Sequence, residues 1–340
     1  SSPLWFVIAI LFFYYPVSAS LEHTWGKFRF TLYILSGIFF IGILCIIAGI
    51  HMGGTLFSFH LTPKTSSKAY TESGFMTLSD KESSQITGVD FDIQAQEVVI
   101  QSGDSYGIET ENDNENNRYH SYIKDGIWHV ETPDNARANV TILDHTVYIP
   151  FGHRKANASP YTITLPSDVT FDKAKISLAA GECRIKTPLT ARQTTIKIGA
   201  GALSATQLQS ERLNIKIGAG EGIIDNLQVT DQCTTKVGVG NLELGKTNIV
   251  SNIHNLNSET AMGNTEITGK LTGNNTLKCS TGNLDLTLAG RKSNYSFSTN
   301  TTMGDITFEK DSQSENTSTE NYGDVTLKCS MGAITVDFMN

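Results

Sequence analysis

The stretch Ile196 to Gly201, IKIGAG, decides how this chain folds, because the same six letters return at Ile215 to Gly220. Looser copies end at Gly181 (SLAAG), Gly240 (KVGVG), Gly263 (TAMG), Gly282 (CSTG), Gly304 (TTMG) and Gly332 (CSMG). Successive glycines are 20, 19, 20, 23, 19, 22 and 28 residues apart. A beat near twenty with one invariant glycine marks stacked repeats rather than a single compact core.

Counting from each glycine, positions −5 and −3 are apolar in most copies, as in Ile196/Ile198, Ile215/Ile217, Leu277/Cys279 and Leu327/Cys329. Positions +2 and +4 repeat the pattern in Leu242/Leu244, Leu284/Leu286 and Ile334/Val336. Period two on both sides of a glycine reads as strand, tight corner, strand. One such coil cannot bury its own inward row, whereas coils stacked about 4.8 Å apart bury it against each other. The expected fold is all-β: a parallel β-solenoid of about 20 residues per coil, regular over residues 170–340, preceded by two transmembrane helices.

Outside the array the chain changes character. Phe30 to Ile50 is an uncharged run of 21 residues, long enough to cross a bilayer core of about 30 Å. Leu4 to Leu21 is a second uncharged run, with Trp5, Tyr14 and Tyr15 placed as interface anchors. Val17-Ser18-Ala19 leaves a signal-peptide reading open for it, although no basic segment precedes the run. The chain also opens on Ser1-Ser2 without Met, so further sequence is expected upstream. The short linker with Lys27 and Arg29 is expected on the cytoplasmic side, which puts the long C-terminal part outside the cell membrane. The domain expectation is therefore an anchor at 1–51 (helices at 4–21 and 30–50), a stalk at 52–83 and a solenoid domain at 84–340.

Ahead of the array, ITGVDFDIQAQEVVIQSG from Ile86 alternates as strands do, and strands resume near 126–130 and 139–151. The acidic, Asn-rich residues 109–121 are expected to form a solvated loop or long hairpin end. They lack the ligand spacing and closing Glu of a calcium loop.

VDFDIQAQEVVIQSG, then YTITLPSDVTFDKAKISLAAG, then IKIGAG-like coils resembles the bacterial putative-adhesin domain family (domain of unknown function 4097) over residues 83–340. The hydrophobic pair ahead of the domain is similar to anchors that precede such domains in Gram-positive bacteria. The resemblance implies a surface-exposed solenoid associated with adhesion or envelope stress, and it carries over no catalytic residue.

The outward columns are this chain's own signal. Position −4 holds Lys197, Lys216, Lys236, Lys278 and Lys328, interrupted by Ser177, Glu259 and Asn300. Like charges one strand spacing apart repel by roughly 1 kcal/mol in water, so the stripe suits an anionic polymer or headgroup surface lying along it. Lysine also serves solubility and edge protection, and that bland reading stands beside the functional one. Past the corner, +3 carries Glu243, Glu266 and Asp285, while +5 carries Asp225, Glu309 and Asp337.

Position +1 holds Asn241, Asn264, Asn283 and Asp305, with Asp324 assigned beside them after Gly323. With the corners Gly201, Gly220, Gly240, Gly263, Gly282 and Gly304 they are expected to form a structural ladder.

Cys183, Cys279 and Cys329 fall on inward positions, and Cys45 falls in the second hydrophobic run. Cys233 has no place in the −5 to +4 frame. Cys279 and Cys329 are expected at least two rungs apart, too far for a disulfide. No metal and no cofactor are expected.

The chain has net charge −8, without the basic signature of a nucleic-acid binder. HExxH is absent, and the literal matches to GxSxG (Gly103 to Gly107, GDSYG) and to the P-loop pattern (Gly240 to Thr247, GNLELGKT) sit in strand-type sequence without the following helix that either motif needs. Asp225, Glu243, Glu266 and Asp285 are the only arrangement that suits a carbohydrate-active solenoid enzyme, and solvated charge explains them equally well. The favoured function is a non-enzymatic, adhesin-like binding module of the envelope. Its expected partners are the membrane, a cell-wall polymer or a membrane protein, without nucleic acid. An envelope-stress or signalling accessory is the alternative. The final coil, AITVDFMN, shows no polar cap and leaves stacking between copies open alongside a monomer.

Overall fold

A computed structural model describes residues 57–62, 74–95, 97–110, 118–132, 137–142, 145–150, 160–308 and 320–339. By spatial proximity the chain divides into Ser1–Thr55 and Leu56–Asn340, and every described residue lies in the second unit. Both expected membrane spans lie outside the described residues. Among those residues no helix is long and apolar enough to cross a membrane.

Strand Thr170–Ile185 lies parallel to Leu189–Leu244 with Ile176 on Ile196, Gly181 on Gly201 and Cys183 on Leu203. That register is one coil long, so each coil hydrogen-bonds to the next and the array is a parallel solenoid. Leu213, Ile215, Ile217, Ile224, Leu227 and Val229 of the rung cornered by Gly220 are all buried. Each such side chain contributes roughly 1.5–3 kcal/mol, and only because a rung above and another below cover it. Cys233 also points inward and is fully buried, opposite Leu256. The strand before the corner reaches further back than the −5 to +4 frame, and that extra length gives Cys233 its place.

The corner glycines have φ between 125° and 150°. At Gly220 (φ 138°) a side chain would be strained by the backbone alone, and a Cβ built there would overlap the Gly201 carbonyl oxygen of the neighbouring rung.

The first end of the stack is closed by a hairpin, His120–Lys124 paired antiparallel with Ile127–Glu131, which lies parallel to Gly88–Ala95. Trp128 is fully buried, edge-on to Phe91 at 5.4 Å and to Tyr106 at 5.8 Å, and its Nε1–H donates to Ser121 Oγ at 2.9 Å. Of the acidic segment 109–121, residues 111–117 lie outside the described residues, and the rest is mostly strand. Thr110 ends one strand, Tyr119 is buried and His120 starts the next. Phe57–Thr62, inside the expected stalk, forms a strand antiparallel to Arg137–Ile142, which pairs in turn with His145–Pro150.

At the other end the rungs do not follow sequence order. Gly323–Met331 pairs with Thr265–Thr281 on one side and with Tyr295–Met303 on the other. Ile334–Met339 likewise lies between Leu284–Ala289 and Ile306–Phe308. The spatial order of corners is therefore Gly263, Gly282, Gly332, Gly304. The chain passes from the Gly282 rung to the outermost rung and then returns to fill the gap.

This corrects three expectations. The final coil is internal and not an exposed end that stacks on another copy. The end rung carries Thr299 and Thr301 opposite Leu327 and Cys329, so its inward row is polar where the array stops. Aromatic rings complete the cap, with Phe297 at 5.1 Å from Phe308 and 6.1 Å from Phe338, and Lys292 Nζ 4.2 Å above Phe308. Cys279 and Cys329 are in register on adjacent rungs, not two apart. Asp324 pairs with Asn274 and Ser296 and belongs to a different column from Asn241.

Candidate anion-binding face

The lysine column stands on the strand leading into each corner. Because inward Ile and Leu side chains flank position −4, the side chain between them must point to solvent. Lys197, Lys216, Lys278 and Lys328 are exposed, and Lys236 is half-buried. Gly201, Gly220 and Gly240 stack in turn, so Lys197, Lys216 and Lys236 occupy three consecutive rungs. Beyond them Glu259 lies in register with Lys236 and with Lys278, and Lys278 with Lys328. The full column reads Glu131, Asp92, Ser177, Lys197, Lys216, Lys236, Glu259, Lys278, Lys328, Asn300, so it is acidic at its first end.

Glu259 Oε2 accepts from Lys236 Nζ at 3.3 Å and divides the stripe into a trio and a pair. Among the described residues no ion pair involves Lys197, Lys216, Lys278 or Lys328. The column on the corner side is small (Gly199, Gly218, Gly238, Ala261, Ser280, Ser330), and the column on the other side is Thr195, Asn214, Thr234, Asn257, Thr276, Thr326. A row of ammonium groups thus stands on a low, polar shelf. An extended chain could lie along it, with one charge met about every 4.8 Å.

Beside that acidic first end, in the column that continues Thr195, lies a mixed cluster that the spacing of the repeats does not reveal. Asp90 Oδ1 and Oδ2 each lie 3.0 Å from Lys175 Nζ, and His129 Nδ1 is 3.8 Å from Asp90 Oδ2. Tyr122 stacks on His129 at 4.7 Å, and its hydroxyl donates to Glu131 at 2.7 Å. These residues come from strands far apart in sequence, and only their shared register brings them together.

Around the corner, Glu243, Glu266 and Asp285 are in register on consecutive rungs, followed by Thr335. Asp225 is paired with Lys246 at 2.7 Å. Among the described residues no group of His, Cys, Asp and Glu side chains is arranged to hold a metal ion.

At the corner itself Asn264 N–H donates to Asn241 Oδ1 at 3.3 Å, Asn283 N–H to Asn264 Oδ1 at 3.1 Å, and Ala333 N–H to Asn283 Oδ1 at 3.3 Å. Ala333 has no side-chain acceptor, so the ladder ends there, one rung short of Asp305. These bonds take up backbone donors that the glycine bend turns out of the sheet, a structural task.

Cys183 and Cys233 are inert where they sit. Burial pushes Cys183 and Cys233 up to about 12, away from the thiolate a nucleophile needs. Cys279 is also pushed up to about 12, first by burial and then by Cys329 beside it.

The Toastrack family model, DUF4097, matches residues 69–337, and the chain belongs to that family. The solved structures with a likeness to it include two adhesion-related proteins. One is a putative adhesin from Bacteroides fragilis NCTC 9343, with 11% identity over 83% of this chain and 98% of that one, at a TM-score of 0.43. The other is a putative cell adhesion protein from Clostridium sporogenes ATCC 15579, with 10% identity over 78% of this chain and 98% of that one, at a TM-score of 0.20. No curated protein matches the chain.

Proposed function

We propose that this protein is a non-enzymatic, membrane-tethered binding module of the bacterial envelope, and that its outward lysine column holds a linear polyanion of the cell wall. The observation that carries the reading is the run of Lys197, Lys216 and Lys236 on consecutive rungs with nothing bulky beside it. Holding three like charges at rung spacing is mildly costly, and an anionic chain along them turns that cost into attraction. Residues 4–21 and 30–50 supply the tether, leaving the solenoid on the outer face. Membership of a family without an assigned activity is compatible with a binding role.

The test uses the purified chain and poly(glycerol phosphate), with a neutral glycan of similar length as control. The triple variant Lys197→Glu, Lys216→Glu, Lys236→Glu is expected to lose at least tenfold in affinity for the polyanion. Wild-type binding is expected to weaken as salt rises. Equal binding by wild type and variant removes the reading.

A further inference from the structure

We infer that Cys279 and Cys329 form a redox modification site, a dithiol pair that closes into a disulfide and locks the returning coil into the stack. The two residues are Cα partners on adjacent parallel strands. One strand spacing, about 4.8 Å, lies inside the Cα–Cα range of about 4.4–6.8 Å that a disulfide bridges. Neither thiol is already cross-linked, and both side chains are buried on the inward face. Cys329 Sγ lies 3.6 Å from the Gly282 carbonyl oxygen, so it leans toward the rung that holds Cys279. Cys279 Sγ leans the same way, to the Gly263 carbonyl oxygen at 3.6 Å. Rotation of Cys279 about its Cα–Cβ bond turns its sulfur to meet Cys329. The pair arises only because the chain places its last coil beside the Gly282 rung.

Position in the stack sets which sulfur reacts first. On its outer side Cys329 faces Thr301 of the end rung, where Thr299, Met303 and Asp305 are exposed. Cys279 lies one rung deeper, between Thr260 and Cys329. Local opening of the end rung therefore bares Cys329 alone.

The oxidant is a small-molecule disulfide such as oxidised glutathione. Cys329 loses its proton to water, and its thiolate attacks one sulfur of that disulfide, forming a mixed disulfide and releasing one thiolate. Cys279, deprotonated in turn, displaces the second thiol and forms the Cys279–Cys329 bond. Two protein thiols are oxidised, one small disulfide is reduced to two thiols, and the two protons pass through water to the leaving groups. The product closes a covalent loop of residues 279–329 that contains the whole Gly304 rung, so the end of the solenoid can no longer peel away.

The experiment incubates the full chain with oxidised glutathione, blocks remaining thiols with iodoacetamide in denaturant, and maps the tryptic peptides by mass spectrometry. The expected product is one peptide pair joined through Cys279 and Cys329, lighter by two hydrogens than the reduced pair. It should be absent in Cys279→Ser and in Cys329→Ser, while Cys183 and Cys233 are recovered alkylated. The thermal midpoint of the oxidised wild type is expected to rise by several degrees and to fall back on reduction. Recovery of both residues as alkylated thiols, or as glutathione adducts that never close, overturns the inference. So does a cross-link that joins two chains on a non-reducing gel.

Discussion

Cys279 and Cys329 are 50 residues apart in sequence and one strand spacing apart in space. That contact is set by the order in which the last rungs stack, Gly282, Gly332, Gly304, and the corner glycines give the same order independently. A Cβ on Gly332 would overlap the Gly282 carbonyl oxygen, and one on Gly304 would overlap that of Gly332. The order has a physical cause. Inside the stack an inward polar residue needs a partner, as Ser258 finds in Thr235 and Thr260 in Thr265, whereas the apolar Leu327 and Cys329 gain from cover on both sides and the polar Thr299 and Thr301 suit the end rung, where one side is wet.

Replacing those threonines should convert a closed end into a sticky one. Thr299→Leu with Thr301→Leu extends the greasy inward row to the last rung and leaves it uncovered. The wild-type chain is expected to keep a constant molecular weight across a light-scattering concentration series. The double variant is expected to grow with concentration, and a variant as invariant as wild type would show that the polar row is not what closes the end.

The corner glycines should resist substitution more than any outward residue. Gly220→Ala meets both a φ of 138° and the Gly201 carbonyl, and is expected to cost about 3 kcal/mol. Urea unfolding followed by circular dichroism measures it, with Lys216→Ala as a surface control expected within about 0.5 kcal/mol of wild type.

Glu259 is the one acidic break between the lysine trio and the lysine pair, and removing it tests whether the stripe works as a unit. Glu259→Lys makes six consecutive lysines, from Lys197 to Lys328. Affinity for poly(glycerol phosphate) is expected to rise several-fold and its salt dependence to steepen. The added repulsion is expected to lower the thermal midpoint slightly when no polyanion is present.

Stability should fall in alkali through the buried thiols. Cys183, Cys233 and Cys279 have folded values raised to about 12 from an ordinary value of 9.0. A group raised on folding stabilises the native state fully below its unfolded value and loses that contribution as pH climbs through the folded one. The urea midpoint is therefore expected to hold between pH 7 and 8 and to decline from about pH 9 upward. Cys183→Ala should flatten the decline, measured as the change in midpoint between pH 8 and pH 10.

Much of this molecule is legible in one dimension. Alternation around each glycine makes strands and corners, and the twenty-residue beat forces coils to stack, because Ile215 or Leu284 has nowhere else to hide from water. The lysine column and the asparagine corner follow from the same counting. Residue counting does not say which rung lies next to which. Every coil presents the same ladder of N–H and C=O groups, so hydrogen bonding alone accepts any neighbour. The tertiary structure chose by matching inward polarity and ring packing, which sent the Thr299 rung outside and drew the Leu327 rung in. The Cys279–Cys329 contact, the aromatic cap and the Asp90–Lys175–His129 cluster exist because of that choice of neighbours, and no local pattern encodes it.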